Sequence, residues 1–341
     1  MSTDKPAEHT TDSTTDSPVE AIRTDFVKHV LVISYSQSGQ LGRIVERIIA
    51  PLLADPQIHV HVETLRPRPA FAFPWSPRGF LDAFPESALQ IPGELEPLGL
   101  TGNENFDLVI LPYQVWFLAP SQPVVAFMRD PLARRLLAGK PVVTVIACRN
   151  MWLLAQEKMK RLIEAAGARL IDNVALTDNA HTLATLITTP LWVLSGNRQL
   201  VRALPPAGVS EHDIQHTERF GKALRDALHD DREKQTTPLL TGLRAVNVNP
   251  RLLVSEKAAT RSFFVWGHIL HAAGPAGSAR RVPLLAIYSL FLVAMVATVV
   301  PLSLLLQAVL RPVLARRLAR LKQSFEQPSG SESDRMSRYD L

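Results

Sequence analysis

Ser34, Ser36 and Ser38 alternate just ahead of Gly39, and with Gln37, Gln40 and Leu41 they make a turn rich in hydroxyls and amides between an apolar run and a helical pattern. Such a turn can hold a phosphate. Backbone N–H groups at a helix N-terminus have no intrahelical acceptor and carry the positive end of the helix dipole. Serine hydroxyls add donors, and glycine lets the chain turn without a Cβ clash. Two other stretches bring different chemistry. Pro112 to Pro120 carries Tyr113, Gln114, Val115 and Trp116, and its two large aromatics could lie against a flat ring. Ala147 to Trp152 offers Cys148, Arg149 and Asn150; the guanidinium suits either an anionic ligand or an ordinary ion pair. Together the three stretches suit a flat ring that bears a phosphate. No residue is assigned a catalytic role. Cys148 has no evident His partner and reads as a small core residue. His212 and His216 stand at i and i+4, a metal-ligand spacing, but no third ligand accompanies them; a solvated helix face explains them, and no metal is expected.

These stretches need a scaffold that brings them to one edge. Residues 29–34, 106–111 and 142–147 are apolar runs of the kind buried on both faces, 169–176 reads as the last strand, and 58–65 alternates like an edge strand. Helical patterns over 41–53, 124–137 and 153–166 separate them, which is the arrangement of a doubly wound parallel sheet. In such sheets ligands bind outside the carboxyl ends of the strands, where the strand order reverses. The strand ends here are 34–41, 112–120 and 147–152. Between residues 66 and 100 the text is Pro-rich and aromatic, with Phe71, Phe73, Trp75, Phe80 and Phe84 too apolar for a solvated linker. It is expected to be a lid or one wall of an apolar pocket.

The chain has 341 residues, a net charge of +5 and 46% apolar residues, enough for a large core. One cysteine excludes an internal disulfide framework and fits a reducing compartment. Residues 1–25 are polar and expected to be a disordered leader, residues 26–200 the α/β domain, and 201–281 a helical extension. From Val282 to Leu310 no side chain carries a charge, a run longer than the roughly 20 residues that cross a bilayer. Arg280, Arg281, Arg311, Arg316, Arg317, Arg320 and Lys322 bracket it, so the basic excess reads as headgroup anchors rather than a nucleic-acid footprint. Residues 252–273 are expected to lie on the membrane surface, and 311–341 to be a basic, then polar and disordered tail. Charge bias puts that tail in the cytoplasm, where a domain without a signal peptide also belongs. One simple span cannot satisfy both, so either the bias is overridden or the segment re-enters. The expected location is the cytoplasmic face of a membrane.

The first turn resembles the flavodoxin phosphate loop, and P-Y-Q-V-W-F-L-A-P resembles the flavin-ring loop of flavodoxin-like NAD(P)H oxidoreductases. The resemblance covers roughly residues 27–196 and implies a five-stranded parallel sheet of order 2-1-3-4-5 with FMN at the switch point. Carried over by position, Ser34, Ser36, Gln37, Ser38, Gly39, Gln40 and Leu41 would hold the FMN phosphate. Tyr113 and Trp116, with Gln114 and Val115 between them, would flank the isoalloxazine, and Cys148, Arg149 and Asn150 would line its other edge. More narrowly, Y-S-Q-S-G-Q-L, F-P-W, D-A-F-P-E-S, Y-Q-V-W and C-R-N-M-W resemble bacterial proteins labelled dialkylresorcinol condensing enzyme. No Cys-His-Asn condensing set is readable, so aromatisation of a ring, which is flavin chemistry, fits the site better than condensation. The expected function is a membrane-associated FMN-dependent oxidoreductase acting on a small apolar substrate, with membrane lipid as a neighbour. NAD(P)H as electron donor and a homodimer belong to the same implication. A membrane-tethered electron carrier with a redox partner, and a flavin-free scaffold, are the other classes the sequence allows.

Overall fold

In the computed structural model, which describes residues 1, 27–309 and 311–339, the first apolar run becomes β1 (Lys28–Ser34). Val30 to Ile33 are wholly buried, so both faces of the strand are covered, as a central parallel strand requires. Gly39 then opens α1 (Gln40–Leu53), whose Leu41, Ile44, Val45 and Ile48 form a buried stripe at helical spacing. Next come β2 (Ile58–Thr64) and an excursion made of β3 (Pro67–Arg68), α2 (Pro77–Asp82), α3 (Phe84–Leu89) and β4 (Glu94–Leu95). The sheet resumes with β5 (Leu108–Trp116) and the short β6 (Ala119–Pro120), then α4 (Gln122–Arg129), α5 (Pro131–Leu137), β7 (Pro141–Cys148), α6 (Leu153–Ala165) and β8 (Arg169–Thr177). Beyond it lie α7 (Thr182–Ser195), α8 (Glu211–Gln215), α9 (Glu218–His229), α10 (Leu252–Ala272), α11 (Val282–Val309), α12 (Arg311–Glu326) and α13 (Met336–Tyr339). The expected leader lies, apart from Met1, outside the described residues.

Five parallel strands run in the order β2-β1-β5-β7-β8, and β6 pairs antiparallel with β5. Counted along the chain, the parallel strands read 2-1-3-4-5, so the fold is flavodoxin-like, as expected. The order reverses at β1, which has β2 on one side and β5 on the other, and a switch point therefore opens between the carboxyl ends of β1 and β5.

Three expectations need correction. The third strand does not stop before Pro112 but continues to Trp116. Past Ile110, the last residue paired with β1, the strand keeps β7 on one side and gains β6 on the other only from Val115, so a proline at 112 can place its missing N–H on the open side. A boundary at residue 200 would cut the core, since α9 packs along α1. Phe220, Ala223, Leu224 and Leu228 join Ile44 and Ile48 in one buried cluster with the sheet. The polar tail is ordered, because its polar groups satisfy buried partners. Ser329 donates to Asp172 Oδ1 (2.7 Å) and accepts from Asn173 N (2.7 Å), Arg244 N donates to Glu332 O (2.8 Å), and Tyr339 donates to Asp226 Oδ2 (3.1 Å).

A second, smaller core joins the Pro-rich excursion to the C-terminal helices. Phe84 stacks on Tyr288 (4.2 Å between ring centroids) and meets Phe263 edge-on (5.2 Å), with Leu118, Leu270 and Leu285 buried around them. Arg281, fully buried, donates to Asp82 and Glu86 of the excursion and to Gly274 O. Of α10, expected to rest on a membrane with Phe263, Phe264, Trp266, Ile269 and Leu270, one face is turned inward, with Phe263 and Leu270 in this core; Phe264 and Ile269 are exposed. Residues 279–298 are helical, long and apolar enough to cross a membrane.

Candidate functional site

The switch point brings the first stretch, Ser34 to Leu41, beside the end of β5. Gly39 adopts φ +80° as the N-cap of α1, and a Cβ built there meets nothing within 4 Å. The position therefore needs glycine for its backbone and faces open space. Ser36 Oγ accepts from Gly42 N (3.0 Å), so one orphan donor of the helix is satisfied. The amides of Gln37, Ser38, Gly39, Gln40 and Leu41 donate to no acceptor among the described residues. A run of open amides at the positive end of a 14-residue helix is an anion cradle in geometry as well as in sequence. Not every side chain of the loop takes part. Gln37 Nε2 donates to Ala72 O (2.8 Å), and Gln40 is buried with both ends of its amide on the backbone of Val209 (3.1 and 3.0 Å). Leu41 is in the core, and Ser34 and Ser38 are half-buried.

The second stretch divides. Tyr113 is fully buried, and its hydroxyl donates to Gln156 Oε1 (2.5 Å), which lies in a polar chain through Gln156 Nε2 to Thr144 Oγ1 (3.1 Å). Burial pushes this phenol well above its ordinary range. Tyr113 therefore has no face to give a ligand, which corrects its expected flanking role. Side chains alternate along a strand, so Tyr113 and Trp116 point to opposite faces while Gln114 and Trp116 share one. Gln114 Oε1 is buried with no hydrogen-bond partner among the described residues. Trp116 is half-buried and enclosed by Tyr35 (6.0 Å), Phe71 (4.9 Å) and Trp75 (5.4 Å), all edge-on. Val115 pairs with Pro120 in the β5–β6 hairpin. The hairpin turns through Phe117 (φ 47°) and Leu118 (φ 60°), and two successive left-handed residues that are not glycine store strain beside the site. Phe117 packs there on Phe80 (4.9 Å) and Phe84 (5.2 Å).

The third stretch sits at the end of β7. Burial pushes the Cys148 thiol far above its ordinary value, with the Glu256 carboxyl adding to the effect, so it is a poor nucleophile. Arg149 is half-buried, and its guanidinium makes no hydrogen bond or ion pair among the described residues. Burial lowers its pKa, with Asp178 opposing. Asn150 is half-buried next to it. A cation held near a strand end without a partner, an orphaned amide oxygen and open helix amides together fit an anionic ligand with a polar ring edge.

Sequence reasoning missed two contributors. One is Tyr35, inside the first loop, which meets Trp116 edge-on. The second is α7 with the loop after it. Trp75 N donates to Val193 O (2.9 Å), Trp192 meets Phe73 (6.0 Å), and Asp178 Oδ2 accepts from Gly208 N (2.9 Å) next to the Val209 that holds Gln40. This segment and the Pro-rich excursion therefore pack around the site from two sides. The excursion also encloses a cavity of about 400 Å³ lined by Pro67, Ala70, Phe71, Trp75, Gln122 and Pro123. Phe71 and Trp75 line that cavity and also touch Trp116.

Glu256, from α10, ties the extension to the site. Its Oε1 accepts from Leu154 N (2.7 Å) at the start of α6, and its Oε2 is buried without a partner among the described residues. Burial pushes its pKa up to about 7. Neighbouring Lys158, which donates to Leu118 O (2.9 Å), is pulled down to about 8 by burial. Because the folded-state pKa of Glu256 is raised, the stability linked to it is complete below the unfolded carboxylate range and is lost as pH rises through about 7. Asp172, pushed up to about 6 by burial, acts in the same direction, while Lys158 acts oppositely only at higher pH. Thermal melts should therefore show the unsubstituted chain losing stability from pH 5 to 7. Glu256→Gln, which keeps the acceptor for Leu154 N, should lose less over the same interval. Parallel pH profiles would contradict this role.

No family model matches the sequence, and neither does any curated protein. Similar solved structures include a flavoprotein in complex with FMN from Lactobacillus acidophilus NCFM, 14% identical, covering 44% of this chain and 93% of that one with a TM-score of 0.35. A flavodoxin from the domain Archaea is 12% identical, covers 59% of this chain and 99% of its own, and has a TM-score of 0.32. Oxidised flavodoxin 1 from Bacillus cereus is 14% identical, with 57% and 95% covered and a TM-score of 0.30.

Proposed function

We propose that this chain is an FMN-dependent oxidoreductase held at a membrane and acting on a small apolar ring substrate. The observation that carries the reading is the run of open amides from Gln37 to Leu41 at the switch point, beside the enclosed Trp116 and the unpartnered Arg149. The amides and the Ser38 hydroxyl would hold the phosphate. Gln114 Oε1 would accept from a ring N–H, and Trp116 would lie against the ring. Arg149 would balance negative charge at the polar ring edge. Bound there, FMN supplies hydride and single-electron transfer. The chain's own contribution is to exclude water: Phe71 and Trp75 separate Trp116 from the apolar cavity, and α7 packs against the excursion. Cys148 is kept neutral and takes no part as a nucleophile. An amphiphilic ring of the dialkylresorcinol type, with NAD(P)H or a redox partner protein as electron source, is the finer form of this proposal.

Titration of FMN with Gly39→Val and Arg149→Met tests it. Valine at φ +80° forces the cradle to rearrange, at about 1–2 kcal/mol or more, so affinity should fall at least tenfold while far-ultraviolet circular dichroism is unchanged. Arg149→Met should weaken FMN without altering the melting temperature by more than about 2 °C. Unchanged affinity in both variants would rule out this site.

A further inference from the structure

Both flanks of the apolar segment are tied to the same body. At one end Arg281 is fully buried on Asp82 and Glu86, and Leu285 and Tyr288 lie in the smaller core. At the other, Leu321 and Phe325 pack on the main core, and Ser329 is buried on Asp172. A helix that crosses a bilayer puts its ends on opposite sides of a hydrocarbon layer roughly 30 Å thick. After α11 the chain has only 311–320 before Leu321 rejoins the core, and as helix at about 1.5 Å per residue that covers roughly 15 Å. This is half the return distance. The first part of α11 lies against α10, where Trp266 meets both Tyr288 (5.5 Å) and Phe291 (5.3 Å).

Both helices leave apolar faces uncovered. Phe264 (59% exposed), Val265 and Ile269 lie on α10, and Ile287, Leu290 (73% exposed) and Val293 on α11. Lys257, Arg261 and Arg280 are exposed on the same two helices and the turn between them, where cations meet anionic headgroups. We propose that α10 and α11 form one in-plane docking face that takes the acyl chains and anionic headgroups of a single leaflet, with both flanks of the apolar segment on the side of the flavodoxin-like domain. The basic residues before and after the segment then lie on one side, and the conflict between charge bias and domain location disappears. Ala276, in the turn between the helices, also lines the apolar cavity, so docking places that cavity at headgroup level. The inference deepens the membrane part of the proposed function, and its test is read without flavin.

The full chain, made by cell-free synthesis with sealed vesicles of phosphatidylethanolamine and phosphatidylglycerol, should float with the vesicles. Ala279→Cys and Ser337→Cys place exposed thiols on either side of the apolar segment, with the unsubstituted chain as the blank for half-buried Cys148. An impermeant maleimide added outside should label both to the same extent before and after detergent. Val265→Asp with Leu290→Asp should cut the floating fraction about tenfold. Ser337→Cys protected until detergent is added would mean a span and overturn the proposal, as would an unsubstituted chain that does not float.

Discussion

Gly221→Ala is expected to lower the melting temperature by about 4 °C. Gly221, in α9, approaches α1 so closely that a Cβ would lie 1.9 Å from Ile48 O and 3.0 Å from Pro51 Cδ. The obstacle is backbone, so no rotamer change relieves it, and the two helices must separate by more than an ångström. Overpacking of a tight core costs about 1–3 kcal/mol, and a backbone clash lies at the upper end. At about 2.1 cal/mol/K of unfolding entropy per residue, about 3 kcal/mol in a chain of 341 residues corresponds to the stated shift. The effect should reach the site, because α1 presents the cradle at its N-terminus; FMN affinity should weaken in parallel. Circular dichroism melts check the first part and flavin titration the second. An alanine variant within 1 °C of the parent would show that α9 does not pack on α1 in this way.

Arg281→Met should be worse still, about 3–5 kcal/mol, because it leaves carboxylates facing each other in a mostly buried setting. Asp82 and Glu86 both meet the guanidinium, and His271 Nδ1 lies 3.1 Å from Glu86. Burial works to raise the Glu86 carboxyl, yet its bonds from Arg281 and His271 hold it below the ordinary range. Without the cation the excursion loses its tie to the turn before α11, and Phe84 would lose its stack on Tyr288. Hydrogen exchange should rise in residues 77–89 and 282–288 before it rises in β1 or β7. Adding Glu86→Gln to the Arg281→Met chain should recover part of the loss, since one uncompensated charge is removed. Uniform exchange across the sheet would argue against this local account.

The sheet was legible in the sequence because its central strands are buried on both faces and leave unbroken apolar runs, as at Val30 to Ile33 and Leu108 to Leu111. The cradle was legible because serine, glycine and a helical stripe follow one such run directly. Tyr113 was misplaced through Pro112. A proline ordinarily ends a strand, but here the strand runs on to Trp116, and period-two alternation alone turns Tyr113 inward. The role of α9 could not be read, since Gly221 looks like any glycine until Ile48 O is seen against it. The tail looked disordered by composition, but Ser329 is matched to a buried Asp172 from which it is far in sequence. Such long-range pairings leave no local signature.

The proposed function stands on FMN binding at the switch point. The detergent-purified full chain, incubated with FMN and desalted, should retain about one flavin per chain with the absorbance of oxidised flavin, its fluorescence quenched by the nearby Trp116. A colourless chain, with free FMN recovered in full and no rise in melting temperature on its addition, would contradict the account.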